Sequence, residues 1–421
     1  MFHRTLFLLS AGALIFVAFA GATLAKTGPA PRRQAPRRSV RPTARTRKKV
    51  VTAPRLDPKL VNDQNLRDPV GPRSAGAAVI RAEILLDRLK FSPGQIEYSY
   101  SDNMKRAVTA FQKEHGLEAS GTVDVKTWMA LNGGPAGDEA PPNTGQTSLD
   151  NPDSAQRNAD PPVYQNNQPK PQGSADTGKM PMDDAGNGPS PNGPSNPPPA
   201  LVPYTISDGD VAGPFTKLPP ARTGEQLMLE EAKLPQLNYS SALEGIASKF
   251  HVNPKLLAQL NPGKNFDKPG EEIFAPNVLT SAPAKAASVV VDGSEHSVRA
   301  LDSKGKVLAF YPATVGSAHD PLPAGKWKIL GKRFNPEFHY NPNLFWDSEN
   351  KNVKATLPPG PKSPVGVVWI SLSKAHYGIH GTPEPSTIGR TESHGCIRLT
   401  NWDAEELANM VGPGTPAILQ E

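Results

Sequence analysis

One cysteine occurs in the 421 residues, Cys396, and it sits in Ser393-His394-Gly395-Cys396. A second histidine lies sixteen residues before it, in Ile379-His380-Gly381-Thr382. A thiol attacks as its thiolate, so it needs a base for its proton and donors for the oxyanion formed on attack. Cys396 can supply the thiol, and histidine is the natural base near neutral pH. Gly395 permits tight backbone curvature before Cys396, so nearby N–H groups can converge on a substrate oxygen. His380 and Cys396 are too far apart to be neighbours on one helix. A β-hairpin or a loop return must bring them together.

Other readings of these residues stay open at this point. A lone cysteine can be a small buried hydrophobe. His376, His380, His394 and Cys396 are residue types that bind zinc, although Gly378 between the first two hardly supports a helical i,i+4 pair. His394 can be a packed structural histidine, and Arg398 can form a surface ion pair worth little to stability. The expectation is thiol chemistry with no metal and no cofactor.

The start of the chain reads as an export signal. Arg4 precedes an almost unbroken apolar run, Leu6 to Ala20, too short for a comfortable membrane span. Small residues follow, so residues 1–25 are expected to be a signal peptide, cleaved after Ala22 or Ala25, with an uncleaved anchor as the alternative. A lone thiol in an exported protein has no internal disulfide partner. No cysteine stands at the cleavage site to carry a lipid.

The net charge of +6 is unevenly placed. Residues 1–50 hold eleven Lys/Arg and no acid, which leaves 35 basic against 40 acidic residues in the remainder. Residues 26–72 therefore read as a basic, Pro- and Ala-rich disordered tail, either a solvated spacer or a contact for anionic lipid or wall polymer. Membrane contact is expected only through the signal or this tail. The folded segments show no basic patch interleaved with aromatics, so no nucleic-acid partner is expected.

With 47 prolines the chain is expected to be multidomain and α+β. Residues 135–225, rich in Pro, Asn and Gly, read as a linker. Before it, residues 73–134 read as three short helices. Ile80, Ile84, Leu85 and Leu89 share one helical face, Asp102 N-caps a second helix carrying Met104, Ala107, Val108 and Phe111, and Asp124 opens a third with Thr127, Trp128 and Leu131. After the linker, residues 226–280 hold two helical segments, one of them opened by Pro254, and the turn-and-strand run Lys268 to Pro276. Residues 285–421 are β-rich, with strands around Val289–Val291, Val298–Leu301, Val307–Phe310, Trp327–Ile329 and Val365–Leu372. One late helix is capped by Thr400 and Asp403 and stopped by Gly412-Pro413. Many short strands with turn residues suggest a sandwich-like sheet or a partly closed barrel.

The run Ala107 to Leu117, with Gly121-Thr122-Val123-Asp124 and Thr127-Trp128, resembles the three-helix peptidoglycan-binding domain family. It departs from that family where Ile96-Glu97-Tyr98-Ser99-Tyr100 replaces the usual Asp-Gly turn. Residues 226–280 resemble a LysM domain, a small α/β binder of sugar polymers. Tyr377-Gly378-Ile379-His380-Gly381-Thr382-Pro383, Gly389-Arg390 and Ser393-His394-Gly395-Cys396-Ile397-Arg398-Leu399-Thr400-Asn401 resemble the signature of the L,D-transpeptidase catalytic domain. Pro323-Ala324-Gly325-Lys326-Trp327 is similar to that family's earlier Pro-x-Gly turn, with Leu322 in place of the usual threonine.

The resemblance implies that Cys396 is the nucleophile and His380 the base and later the proton donor. It implies that the Gly381 carbonyl orients His380, and that His394, Gly395 and the Cys396 N–H shape the oxyanion site with Ser393 nearby. Arg398 and Tyr377 become candidates for holding the peptide. The implied reaction is acyl transfer on peptidoglycan stem peptides in the periplasm or cell wall. Cys396 takes the third residue of a tetrapeptide and expels terminal D-alanine, and an amine on another stem receives the acyl group. An outer-membrane protein or water is the alternative acceptor, the latter making an L,D-carboxypeptidase. A non-catalytic wall-binding scaffold is the reading from a different class.

Overall fold

The computed structural model describes residues 56–134, 197–218, 223–280, 283–348 and 350–421. The expected signal peptide, most of the basic tail and most of the linker lie outside them. Four helices come first: α1 (Pro58–Asn62), α2 (Ala77–Arg88), α3 (Asp102–Glu114) and α4 (Val125–Leu131). The first corrects the expectation of a disordered tail to residue 72: Asp57 caps α1 through the Lys59 N–H, and Pro58 fills the position where a missing N–H costs nothing. The cap of α3 is Ser101, whose hydroxyl accepts from the Met104 N–H, rather than Asp102. Leu89 also departs from expectation. It lies just past the last turn of α2 and is exposed, while Leu86 points inward.

A second correction concerns the linker. Within the stretch expected to be spacer, β1 (Leu201–Thr205) and the short α5 (Asp208–Val211) are formed, and α6 (Gly224–Glu231) starts at its end. After α7 (Ala242–Lys249) and α8 (Pro254–Leu260), β2 (Glu272–Pro276) returns to pair antiparallel with β1, Leu201 opposite Pro276. The α/β module therefore begins near residue 200, and the chain between β1 and α7 is an insertion in it. Pro203 is tolerated because the sheet has only two strands, so every strand has an open edge.

The remaining strands are β3 (Ser288–Asp292), β4 (Ser297–Leu301), β5 (Val307–Pro312), β6 (Thr314–Val315), β7 (Gly325–Phe334), β8 (Phe338–Tyr340), β9 (Ala355–Leu357), β10 (Val368–Leu372), β11 (Gly378–His380), β12 (Ile397–Arg398) and β13 (Pro416–Gln420). Helix α9 (Asn401–Met410) precedes the last. Nine of them form one sheet in the order β5-β4-β3-β13-β7-β10-β11-β12-β6. The long β7 pairs with β13 through Gly325–Lys328 and with β10 through Ile329–Phe334, so it joins two half-sheets. Both halves feed one core, with Val289, Ile329, Ile370, Ile379 and Ile397 packed against Leu407 of α9. Each such buried side chain is worth about 1.5–3 kcal/mol. The chain ends on β13, not on the helix expected to close the pattern. The expected strand at Val365 starts only at Val368, because Gly366 bonds back to Ser363 in a turn.

The regions are not beads on a string: all the described residues fall in one compact unit. Phe91 lies parallel beside Phe310 on the edge strand β5, where the Ser92 N–H donates to the Phe310 carbonyl and the Phe310 N–H to that of Lys90. Ile80, Ile84 and Ile96 share a second core with Ile246 and Phe250 of the α/β module.

Polar groups meet at the same junction. His251 Nδ1 is 3.1 Å from both carboxylate oxygens of Asp87, and its ring stacks on Trp402 at 5.0 Å. Burial and the nearby Asp87 push the Asp403 carboxyl up to about 8. The native state therefore keeps that proton from pH ~4 to pH ~8, where an unfolded carboxyl has lost it, so stability falls as pH rises through this window. Asp403→Asn is expected to raise the unfolding temperature at pH 8 and to converge with the wild type at pH 4. Thermal unfolding at the two pH values checks this, and an equal shift at both would contradict it.

Candidate functional site

Strand pairing puts the predicted residues on one face. Trp369 of β10 lies opposite His380 of β11, and His380 opposite Arg398 of β12. Side chains alternate along a strand, so Ile379 and Ile397 face the core while His380 and Arg398 share the other side, with Cys396 two residues before Arg398. The parallel pairing of β11 with β12 is the return that brings His380 and the cysteine turn together across sixteen residues.

His380 is buried. Its Nδ1 lies 2.7 Å from the Gly381 carbonyl oxygen, which can only accept, so Nδ1 carries the proton and Nε2 is left with a lone pair. Its ring stacks on Trp369 at 5.2 Å and 16°. Burial, helped by the Arg398 charge and opposed by the Gly381 bond, pushes its pKa down to about 3. The imidazole is neutral at pH 7.

Cys396 is half-buried, and its thiol points to the His376 carbonyl at 3.7 Å. Burial pushes the thiol pKa up, against the Gly378 N–H and the Arg398 charge, which both favour the thiolate. The preceding turn is held from behind. The Ser393 N–H donates to the Gly316 carbonyl at 2.9 Å, and Ser393 Oγ donates to the Cys396 carbonyl at 2.6 Å. Gly395 has φ +93, and a Cβ there would lie 2.8 Å from the Tyr377 ring. Both backbone and space demand glycine. A Cβ on Gly378 would lie 2.6 Å from the Trp369 ring, so that glycine lets the indole reach His380.

A groove of about 1480 Å³ runs over this face. Trp369, Tyr377, His380, Cys396 and Arg398 line its floor, and α6 and the β8-β9 hairpin wall it. The chain between β8 and β9 crosses to the cysteine turn, where Asp347 Oδ1 meets His394 Nε2 at 2.9 Å and Phe345 packs edge-on against that imidazole at 5.0 Å. Trp346 stacks on His319 at 4.4 Å. The groove exceeds the usual volume of a small-molecule pocket, about 300–1,000 Å³, and suits an extended peptide.

The predicted residues thus come together, in different positions. His380, Tyr377, His394, Cys396 and Arg398 line the groove, the Gly381 carbonyl holds the His380 ring, Gly395 curves the cysteine turn, and Ser393 is buried in it. His394 spends its imidazole on Asp347. Among the described residues no group of three or more His, Cys, Asp or Glu side chains is placed to hold a metal ion. Trp369 and Asp347 were not predicted. The alternation of Val368-Trp369-Ile370-Ser371-Leu372 carries a signal for Trp369, whereas Asp347 sits in an irregular segment with none.

The chain resembles known proteins over this region. A family model of the L,D-transpeptidase catalytic domain matches residues 286–419, and one of a peptidoglycan binding domain matches 75–131. Over 184 residues the chain is 33% identical to a Bacillus licheniformis protein named as an L,D-transpeptidase, YkuD, covering 43% of this chain and 94% of that protein. The YkuD protein of Bacillus subtilis strain 168 is 30% identical over 181 residues, with the same coverage, 43% and 94%. The Escherichia coli K12 protein YcfS, also named as an L,D-transpeptidase, is 30% identical over 208 residues, 47% of this chain and 64% of that one.

Proposed function

The chain belongs to the L,D-transpeptidase family, and on that premise we propose that Cys396 cuts and rejoins peptidoglycan stem peptides. Neutral His380 takes the thiol proton through Nε2 as Sγ leaves the His376 carbonyl. Sγ attacks the carbonyl of the third residue of a tetrapeptide stem. N–H groups of the His394-Gly395-Cys396 turn, curved by the left-handed φ of Gly395, take the oxyanion. The C–N bond to terminal D-alanine breaks, His380 returns the proton to its nitrogen, and a thioester remains. An amine of a second stem attacks that thioester and passes its extra proton to His380, which gives it to the departing Sγ, releasing a 3→3 cross-linked product and restoring the thiol and neutral His380. Tyr377 and Arg398 hold the peptide.

The observation that carries this reading is the placement of the Nδ1-held, neutral His380 on the same sheet face as Cys396. The rest of the chain is read to match. Residues 1–25 export the protein to the periplasm or wall, and 26–55 with 135–196 act as spacers. The helical region and the module from about 200 to 280, read as LysM-like from its β1-α7-α8-β2 order, bring the enzyme to glycan. Binding to a polymer raises the local concentration of stems.

Incubating the protein with purified disaccharide-tetrapeptide, beside Cys396→Ala, tests it. A dimer lacking one terminal D-alanine, absent with the variant, is expected. Tripeptide alone would make water the acceptor and the enzyme an L,D-carboxypeptidase. No conversion would contradict cross-linking and leave a protein acceptor or a scaffold.

A further inference from the structure

We propose that the N-terminal helical region is a working part of the active site: Asn103 and Glu97 hold the segment between His380 and Cys396 and thereby set the position of the thiol. The proposal rests on the acyl-transfer reading for its substrate measurements but not for its thiol measurements.

Asn103 of α3 is buried against residues 388–389. Its Nδ2 donates to the Ile388 carbonyl at 2.8 Å, and its Oδ1 accepts from Arg106 Nη1 at 2.8 Å, which fixes the direction of the amide. Gly389 has φ +70, and a Cβ there would collide with Asn103 Oδ1. The loop and the helix are therefore fitted to each other at a position that both backbone and space reserve for glycine. One residue on, Arg390 Nη2 pairs with Glu97 Oε2 at 2.6 Å, with Asp102 adding negative charge near the guanidinium.

From this anchor the contacts run to the thiol. The Gly389 N–H donates to Thr314 Oγ1 at 3.0 Å, and Thr314 of β6 is buried opposite Arg398 of β12. Gly316, just past β6, accepts the Ser393 N–H at 2.9 Å, and Ser393 Oγ bonds the Cys396 carbonyl at 2.6 Å. Residues 388–390 and 393 are thus pinned, and exposed Thr391 and Glu392 span the gap between the pins. Two of the upstream pins, Asn103 and Glu97, come from outside the catalytic domain. Freeing them lets the cysteine turn drift, and a drift near 1 Å can cost about 100-fold in rate. The exposed Lys113–Glu295 pair, at 3.0 Å, joins the same two regions away from this loop and serves as a control.

The test uses the full chain with Glu97→Arg, Arg390→Glu, the double variant, Asn103→Ala and Lys113→Ala. Three quantities are read: the rate of Cys396 alkylation by iodoacetamide, kcat and KM for the disaccharide-tetrapeptide, and the thermal midpoint. Each charge reversal is expected to lower kcat and the alkylation rate about tenfold, with KM within about twofold of wild type. The double variant, which restores an ion pair of reversed sense, is expected to recover to within about threefold. Lys113→Ala is expected to match wild type. Asn103→Ala adds no charge, so it keeps the test open if a reversal fails to fold; it is expected to slow alkylation about fivefold. Wild-type rates in the single reversals would overturn the proposal, as would a loss that the double variant does not recover. A wild-type thiol that alkylates normally while no D-alanine is released would sink the transpeptidase reading alone. The alkylation rates would still judge the clamp.

Discussion

His380→Ala is expected to slow acylation of Cys396 by roughly 10²–10⁴-fold, the usual contribution of a positioned base. The argument is electrostatic. Burial pushes the Cys396 thiol pKa up, so at neutral pH the sulfur holds its proton and attack needs a base at the moment of reaction. His380 is that base, with Nε2 free because Nδ1 is committed to the Gly381 carbonyl. Since burial and Arg398 push its pKa down to about 3, wild-type acylation should show no acid limb near the ordinary histidine range and should fall only toward pH ~3. In the alanine variant the residual rate should climb with pH as the thiol ionises. The same shift has a stability consequence. Between pH ~3 and ~6.5 the unfolded chain binds a proton that buried His380 does not, so stability rises with pH through that window. Stopped-flow acylation across pH measures the rates. A variant within about threefold of wild type at pH 7 would rule out His380 as the base.

Gly366→Ala is expected to cost about 2–5 kcal/mol, the sum of a left-handed backbone penalty and an overpacked contact. Gly366 has φ +60, and a Cβ there would strike Asn401 Oδ1. That side chain is a hub: Oδ1 accepts the Val367 N–H at 3.2 Å, and Nδ2 donates to the Pro361 carbonyl at 3.0 Å. The absent Cβ of Gly381, the residue whose carbonyl orients His380, faces the same oxygen. Gly412→Ala is the comparison, because a Cβ at Gly412 meets nothing within 4 Å and its backbone is not left-handed. Urea denaturation of both should separate them by more than about 2 kcal/mol. Equal midpoints would show that Asn401 yields and that the hub carries no strain.

The parts of this molecule legible in its sequence are those whose signal is local. Three helices of the N-terminal region showed in the spacing of Ile80, Ile84, Met104, Phe111 and Trp128, and α9 showed in its cap, Thr400, and its stop, Gly412-Pro413. The short motifs around His380 and Cys396 named the residues that the sheet brings to one face, because the rows of β11 and β12 are two short stretches of chain. Strand β1 was hidden: it lies among prolines, and its partner β2 is about seventy residues away. Nothing local marks a strand whose reason to exist is a distant edge. Contacts between regions were equally invisible. Phe91 on Phe310, His251 on Asp87 and Asn103 on Gly389 each join residues that read separately as ordinary helix or turn positions. Trp369 was read only as part of an apolar strand. That its ring lies on His380 depends on the β10-β11 register and on the missing Cβ of Gly378.

The central claim is a thioester on Cys396, and intact-protein mass spectrometry tests it most directly. The protein would be mixed with disaccharide-tetrapeptide without added acceptor, quenched in acid within seconds, and compared with Cys396→Ser and His380→Ala. A mass increase equal to the substrate minus D-alanine, lost on treatment with hydroxylamine, is the predicted result. Free D-alanine should equal the adduct and the dimer together. In Cys396→Ser no hydroxylamine-labile adduct is expected, and in His380→Ala only slow formation. Release of D-alanine at the wild-type rate from Cys396→Ser, or an adduct on another residue, would contradict the account.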